Sequence, residues 1–141
     1  LIDSARSGGP DSTLVLLVED NDDNRAIYST ILRHYGYAVE EVTSGIDALE
    51  TARELHPAVI LMDISLPGMD GWTVTKHLKD DPETEDIIIV AITAHALPED
   101  HRRAQELGCA AFLPKPVRPR RVLEEVDRLT GNHSGSRPGK E

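Results

Sequence analysis

The sequence contains a single cysteine, Cys109. An intramolecular disulfide is therefore excluded, and a reducing compartment is the natural expectation. A zinc site is excluded on the same ground, since Cys109 has no partner thiol and the histidines are scattered. No apolar run approaches the length of a membrane span. The first residues lack the apolar stretch of a secretion signal. These absences make a cytoplasmic protein the expectation, with no membrane contact. Basic residues are also in short supply, and the formal net charge is −10 at pH 7. A chain with that balance is unsuited to non-specific nucleic-acid binding, so direct DNA binding is not expected. The excess lies between Thr13 and Thr130, where 22 acidic residues face 12 basic ones. No internal repeat is present.

What remains is one domain's worth of chain. Its 141 residues are enough for a real hydrophobic core, and 39% hydrophobic with 28% charged residues is an ordinary globular composition. Residues 1–12, "LIDSARSGGPDS", and 131–141, "GNHSGSRPGKE", are rich in Gly and Ser and read as flexible tails. The domain proper is expected over 13–130. The chain starts with Leu1 rather than Met. A processed start, an excised fragment and a Leu-type start codon all stay open.

Two patterns alternate within the domain. Apolar runs at 13–18, 58–63 and 87–93 read as strands, with weaker ones at 38–42 and 110–114. Between and after them lie segments of helical period at 24–36, 44–55, 71–81, 97–108 and 119–131. Ile27, Tyr28, Ile31, Leu32 and Tyr35 share one face of the first helix. Asp22 or Asp23 is expected to cap it. Ser44 is a natural cap for the second, and Gly36 and Gly108 are natural stops. Continuous apolar strands imply burial on both faces. The expected class is therefore α/β, a doubly wound parallel sheet of five strands with five helices.

Ligands of such sheets bind beyond the carboxyl ends of the strands. The first strand ends in "VEDNDDN", the third in Asp63, the fourth in Thr93 and the fifth in "PKP" with Lys115. If the first and third strands are neighbours, Glu19, Asp20 and Asp63 crowd one edge. Like charges at close range raise one another's pKa. A hard divalent cation relieves that conflict. Mg²⁺ fits, because it takes oxygen ligands and only one or two carboxylates, with Mn²⁺ as a substitute. Thr93 and Lys115 add a hydroxyl donor and an ammonium, which suits a phosphoryl group in transfer. Asp63 ends the central strand and is the expected nucleophile.

These residues carry a family resemblance. The stretches "VLLVEDNDDN", "VILMDISLPGMDGW", "VAITAHA" and "AAFLPKPV" are similar to those of response-regulator receiver domains of bacterial two-component signalling. The likeness runs from about Thr13 to Thr130. It covers chemotaxis-regulator-like receivers, and the wording is nearest to free-standing and hybrid-kinase receivers. The resemblance implies a flavodoxin-like strand order of 2-1-3-4-5. It implies that Asp63 accepts a phosphoryl group, that Glu19, Asp20 and the Ser65 main-chain carbonyl help hold Mg²⁺, and that Thr93 and Lys115 contact the phosphoryl group. It implies a cis Lys115–Pro116 peptide, a switch aromatic at Phe112 that lacks a hydroxyl, and modulating roles for Ser65 and His95. It further implies a phosphohistidine donor, either a histidine kinase or a histidine phosphotransfer protein. The downstream protein target would be met through the face of the fourth helix, fifth strand and fifth helix.

Plainer readings stand beside these. Thr93 alone reads as a turn residue and Cys109 as a small buried residue. Arg118, Arg120, Arg121 and Arg128 read as a solvated face or as part of a partner surface. The chain is expected not to be an enzyme beyond its own phosphorylation and dephosphorylation. Three other functional readings stay open: a receiver excised from a hybrid histidine kinase or longer regulator, a Mg²⁺-dependent phosphatase working through an aspartyl-phosphate, and a pure interaction module that is never phosphorylated, against which the intact Asp63–Thr93–Lys115 set argues.

Overall fold

The computed structural model describes residues 13–132. The tails expected at 1–12 and 131–141 lie outside these residues, apart from Gly131 and Asn132. Five strands alternate with five helices: β1 (Leu14–Val18), α1 (Asp22–His34), β2 (Ala38–Val42), α2 (Gly45–Leu55), β3 (Val59–Asp63), α3 (Gly71–Asp80), β4 (Ile88–Thr93), α4 (Pro98–Leu107), β5 (Ala111–Pro114) and α5 (Pro119–Thr130). All pairings are parallel and the sheet order is β2-β1-β3-β4-β5, as the family resemblance implies.

The continuous apolar strands divide by pleat. Leu16, Val18, Ile60, Met62, Ile89 and Ala91 face one side and meet Ala48, Ala52, Val74, Leu78 and Ala104 of α2, α3 and α4. Their neighbours Val15, Leu17, Val59, Leu61, Val90 and Ile92 face the other side. There they meet Tyr28, Leu32, Val122, Leu123 and Val126 of α1 and α5. Alternate side chains of a strand point to opposite faces, so a run buried on both faces needs helices on both. Each Leu or Ile buried in this way contributes about 1.5–3 kcal/mol relative to exposure.

Three details differ from the sequence reading. Asn21, not Asp22 or Asp23, caps α1; it is extended, and its side chain accepts from the Asn24 amide at 2.9 Å. The helix therefore starts two residues earlier, and the two aspartates sit in its first turn, where the helix dipole favours them. Ile27 turns outward and is 47% exposed, because the buried stripe runs through Tyr28 and Leu32. Helix α3 stops at Asp80, and Asp81 leaves the helix to accept from the Glu83 amide and Arg53. The expected caps at Ser44 and Gly108 are present, the latter with a positive φ of 90°. The Lys115–Pro116 peptide is cis.

Candidate phosphoryl-acceptor site

The site is assembled where β1, β3, β4 and β5 end. Glu19 follows β1 directly, and its amide extends the ladder by donating to the Val42 carbonyl at 3.1 Å. That tie turns its side chain inward, where it is 1% exposed. The loop then folds back on the carboxylate: the Asn21 amide donates to Glu19 Oε2 at 3.1 Å. Arg25 holds the loop from α1. It donates to the Glu19 carbonyl at 3.0 Å and pairs with Asp22 at 2.6 Å and Glu41 at 3.4 Å. Asp20 is exposed at the rim. Strand β3 delivers Asp63, 2% exposed, and the Ser65 amide donates to its Oδ1 at 3.0 Å. Carboxylate oxygens of Glu19, Asp20 and Asp63 all lie within 4.8 Å of one another.

Lys115 enters from the end of β5. Its Nζ stands 3.4 Å from Asp63 Oδ2 and 3.5 Å from Glu19 Oε1. Burial works against its charge, but Asp63 and Glu19 overcome it and hold the ammonium above the ordinary lysine range. Glu19 moves the other way for a carboxylate. Burial first, then repulsion from Asp63, raise its pKa from 4.5 to about 7, against the opposing Asn21 amide and Lys115. One ammonium at more than 3.3 Å does not neutralise three carboxylates. Oxygen-only donors, close together and short of positive charge, match the demands of a hard divalent cation. The residues present therefore fit Mg²⁺.

Thr93 closes β4 and is 2% exposed. Its hydroxyl accepts from the His95 amide at 3.0 Å and donates to the His95 carbonyl at 3.2 Å, so here it serves a turn. The structure thus brings Glu19, Asp20, Asp63 and Lys115 together and leaves the Thr93 hydroxyl on His95, beside them. His95 and Ser65 are both exposed on the rim. Phe112 is half-buried on β5, its ring 5.2 Å from that of His101 on α4.

Arg25, Gly71 and Tyr28 belong to the site's surroundings and were not legible as such in the sequence. Arg25 sits one turn beyond the acidic loop, and that spacing was the available signal. Tyr28 reads as core by its period, yet its hydroxyl reaches the Val117 carbonyl at 3.4 Å. It lines a cleft of about 400 Å³ with Asn24, Ala94, Lys115, Pro116 and Val117. Cys109, expected to be buried, is half-buried, and its burial pushes the thiol up to about 11. Of the arginines near α5, Arg121 and Arg128 both bind Glu125, and Arg120 lies over the Tyr35 ring.

Known proteins share this fold. Residues 15–127 match the family described as response regulator receiver domain. The chain is 41% identical over 118 residues to the polar-differentiation response regulator DivK of Brucella ovis, spanning 84% of this chain and 96% of that one. A solved receiver domain of the sensor histidine kinase PA1611 from Pseudomonas aeruginosa superposes with a TM-score of 0.77 at 32% identity, over 85% of this chain and 98% of that one. That structure has a magnesium ion coordinated in its active-site cleft. The chemotaxis response regulator CheY4 of Vibrio cholerae superposes with a TM-score of 0.78 at 28% identity, over 83% and 98% of the two chains. Matched over most of its length and carrying an acidic cluster at the sheet's carboxyl edge, the chain belongs to the response regulator receiver domains of two-component phosphorylation signalling.

Proposed function

We propose that Asp63 is the phosphoryl acceptor of a free-standing response regulator. One observation carries the assignment: Asp63 ends the fully buried β3 and presents its carboxylate between Lys115 and the Glu19–Asp20 pair. A buried carboxylate in that position is retained for chemistry rather than for stability. An Asp63 oxygen attacks the phosphorus of a phosphohistidine; the phosphorus–nitrogen bond breaks and the donor imidazole leaves. Lys115 offsets charge on the incoming oxygens. Glu19, Asp20, Asp63 and the Ser65 carbonyl would hold Mg²⁺ or Mn²⁺, which supplies further charge neutralisation at those oxygens. Water later attacks the acyl phosphate, restoring the carboxylate and releasing phosphate. Ser65 and His95 flank that approach and set the lifetime.

The receiver is a signalling module and not a classical enzyme. Its partners are a histidine kinase or histidine phosphotransfer protein upstream and a protein target downstream. Phosphorylation draws the Thr93 hydroxyl from His95 toward the phosphoryl group. Phe112 then repacks, shifting the population of two states of the α4–β5–α5 face. The match spans 96% of DivK and 98% of the PA1611 histidine-kinase receiver, so it supports the receiver reading for either kind of parent. Among the described residues no helix is long and apolar enough to cross a membrane. A cytoplasmic location and an output without DNA contact accord with the lone cysteine and the charge of −10.

The test is incubation with Mg²⁺ and acetyl phosphate, read by intact mass. One phosphoryl group gained, lost in Asp63→Asn and abolished by a chelator, is the expected result. Turnover of many equivalents of a small phosphate ester would instead establish the phosphatase reading.

A further inference from the structure

We propose that Tyr28 is a positioning residue for phosphoryl transfer: its hydroxyl tethers the Val117 carbonyl and so fixes the loop that presents Lys115 to Asp63. The inference rests on the acceptor role of Asp63 set out above.

The loop from β5 to α5 reads "PKPVRP", residues 114–119. Three of its six residues are prolines and donate no backbone hydrogen bond. Such a loop has few means of holding itself. Two ties to neighbouring elements flank the lysine. On one side the Lys115 amide donates to the Thr93 carbonyl of β4 at 2.7 Å. On the other, Tyr28 of α1 donates from its hydroxyl to the Val117 carbonyl. Lys115 stands between them. Its ammonium meets Asp63 at 3.4 Å and Glu19 at 3.5 Å, contacts no shorter than the tyrosine tie. Where that ammonium sits therefore follows from the loop backbone together with these two carboxylates.

Tyr28 is 4% exposed on the buried face of α1. Phe or Leu would fill the same slot without burying a hydroxyl, which is unfavourable unless it is bonded. The phenol also feels the site. Burial first, then Glu19 and Asp63 against Lys115, raise its pKa above the ordinary tyrosine range, so it stays a donor. Its bond to Val117 is long at 3.4 Å, beyond the roughly 2.5–3.0 Å of ordinary O–H···O bonds, so the tie is a weak one. A modest, selective effect on rate is the consequence.

The experiment is phosphorylation by acetyl phosphate with Mg²⁺ in four proteins: wild type, Tyr28→Phe, Lys115→Met and the double variant. Folding is checked by thermal unfolding. Tyr28→Phe is expected to lower the maximal rate about twofold to threefold, the lower end of the worth of one neutral hydrogen bond. The acetyl phosphate concentration for half-maximal rate should stay unchanged. In the Lys115→Met background, Tyr28→Phe should have no further effect, because it acts through the lysine. A loose core would slow both backgrounds alike, and that result overturns the proposal. So does an unchanged rate in Tyr28→Phe beside a phosphorylated wild type. Wild type with no phosphoryl gain at Asp63 removes the acceptor role itself, and the proposal with it.

Discussion

Gly71 packs against the backbone of Asp63 with no room for a side chain. A Cβ at Gly71 would lie 2.7 Å from the Asp63 carbonyl oxygen and 2.6 Å from the Ile64 Cα. The Gly71 amide also donates to the Ile64 carbonyl at 2.9 Å, closing the loop between β3 and α3. The first turn of α3 is thus seated directly on the Asp63 main chain. Gly71→Ala forces one of two rigid backbones to move. It should lower stability by about 1–3 kcal/mol, the range for overpacking a well-filled interior. Because the displaced atoms belong to Asp63, phosphorylation by acetyl phosphate should slow as well. Urea unfolding and a phosphorylation time course check the two halves. A variant with wild-type values of both would show that α3 shifts freely.

Glu125 is held on α5 by two arginines. It is 3% exposed, and it accepts from Arg121 at 2.5 Å and from Arg128 Nε at 2.9 Å. Burial would raise its pKa, but the bonds from Arg128 and Arg121 prevail and hold it below the usual carboxylate value of 4.5. A depressed folded pKa means stability that is present above 4.5 and lost as pH falls through the folded value. Glu125→Gln should therefore lower stability at pH 7 by about 1–2 kcal/mol, kept small by the solvent around the two arginines. The deficit should narrow below pH 4.5. Denaturant melts at both pH values decide it; a deficit constant across pH would assign the effect to packing.

The strands and their carboxyl ends were legible because a strand buried on both faces leaves a signal of composition alone. Asp63, Glu19 and Thr93 could each be found by reading what ends such a run, and Lys115 by its place between two prolines after the weaker last strand. Strand order needed the family likeness, since right-handed crossovers permit several orders. Other features were not legible because their cause lies far away in sequence. The Asn21 cap depends on where the Glu19 amide joins the sheet. Gly71 reads only as the first residue of a helix, and the Asp63 backbone beneath it leaves no mark in the sequence. Arg121 and Arg128 read as a solvated face and are exposed, but their shared bond to Glu125 on the same helix was not visible in the pattern. Tyr28 satisfies the helical period so well that nothing in the pattern singles out its hydroxyl.

Thr75 offers a test of the interior. It is fully buried on α3, and among the described residues its hydroxyl has no hydrogen-bond partner. An orphaned buried hydroxyl is destabilising, and a methyl of the same shape removes the penalty. Thr75→Val should raise stability by up to about 1 kcal/mol, seen as a higher unfolding temperature. Phosphorylation should be untouched. A loss of stability would show that an ordered water satisfies the hydroxyl.

Glu19 should show opposite consequences with and without metal. Its pKa is raised in the folded protein from 4.5 to about 7 by burial and by Asp63. For an acid shifted in that direction, the folded state binds the proton more tightly than the unfolded chain. Its contribution to stability is therefore fully present below 4.5 and is lost as pH rises through about 7. In the presence of a chelator, Glu19→Gln should be more stable than wild type at pH 8 by about 1–3 kcal/mol, and about equal to it near pH 4.5. With Mg²⁺ the order should reverse, because the ionised carboxylate is then the form the site requires. Wild type should bind Mg²⁺ more tightly as pH rises toward 7. Glu19→Gln should bind it about tenfold or more weakly, with that pH dependence flattened. Calorimetric titration of Mg²⁺ and urea melts with and without the ion measure both arms. Equal stability of the two proteins at pH 8 without metal would mean that Lys115 alone neutralises the cluster. Mg²⁺ affinity unchanged by the substitution would take Glu19 out of the metal site and leave Asp20 and Asp63 to hold it.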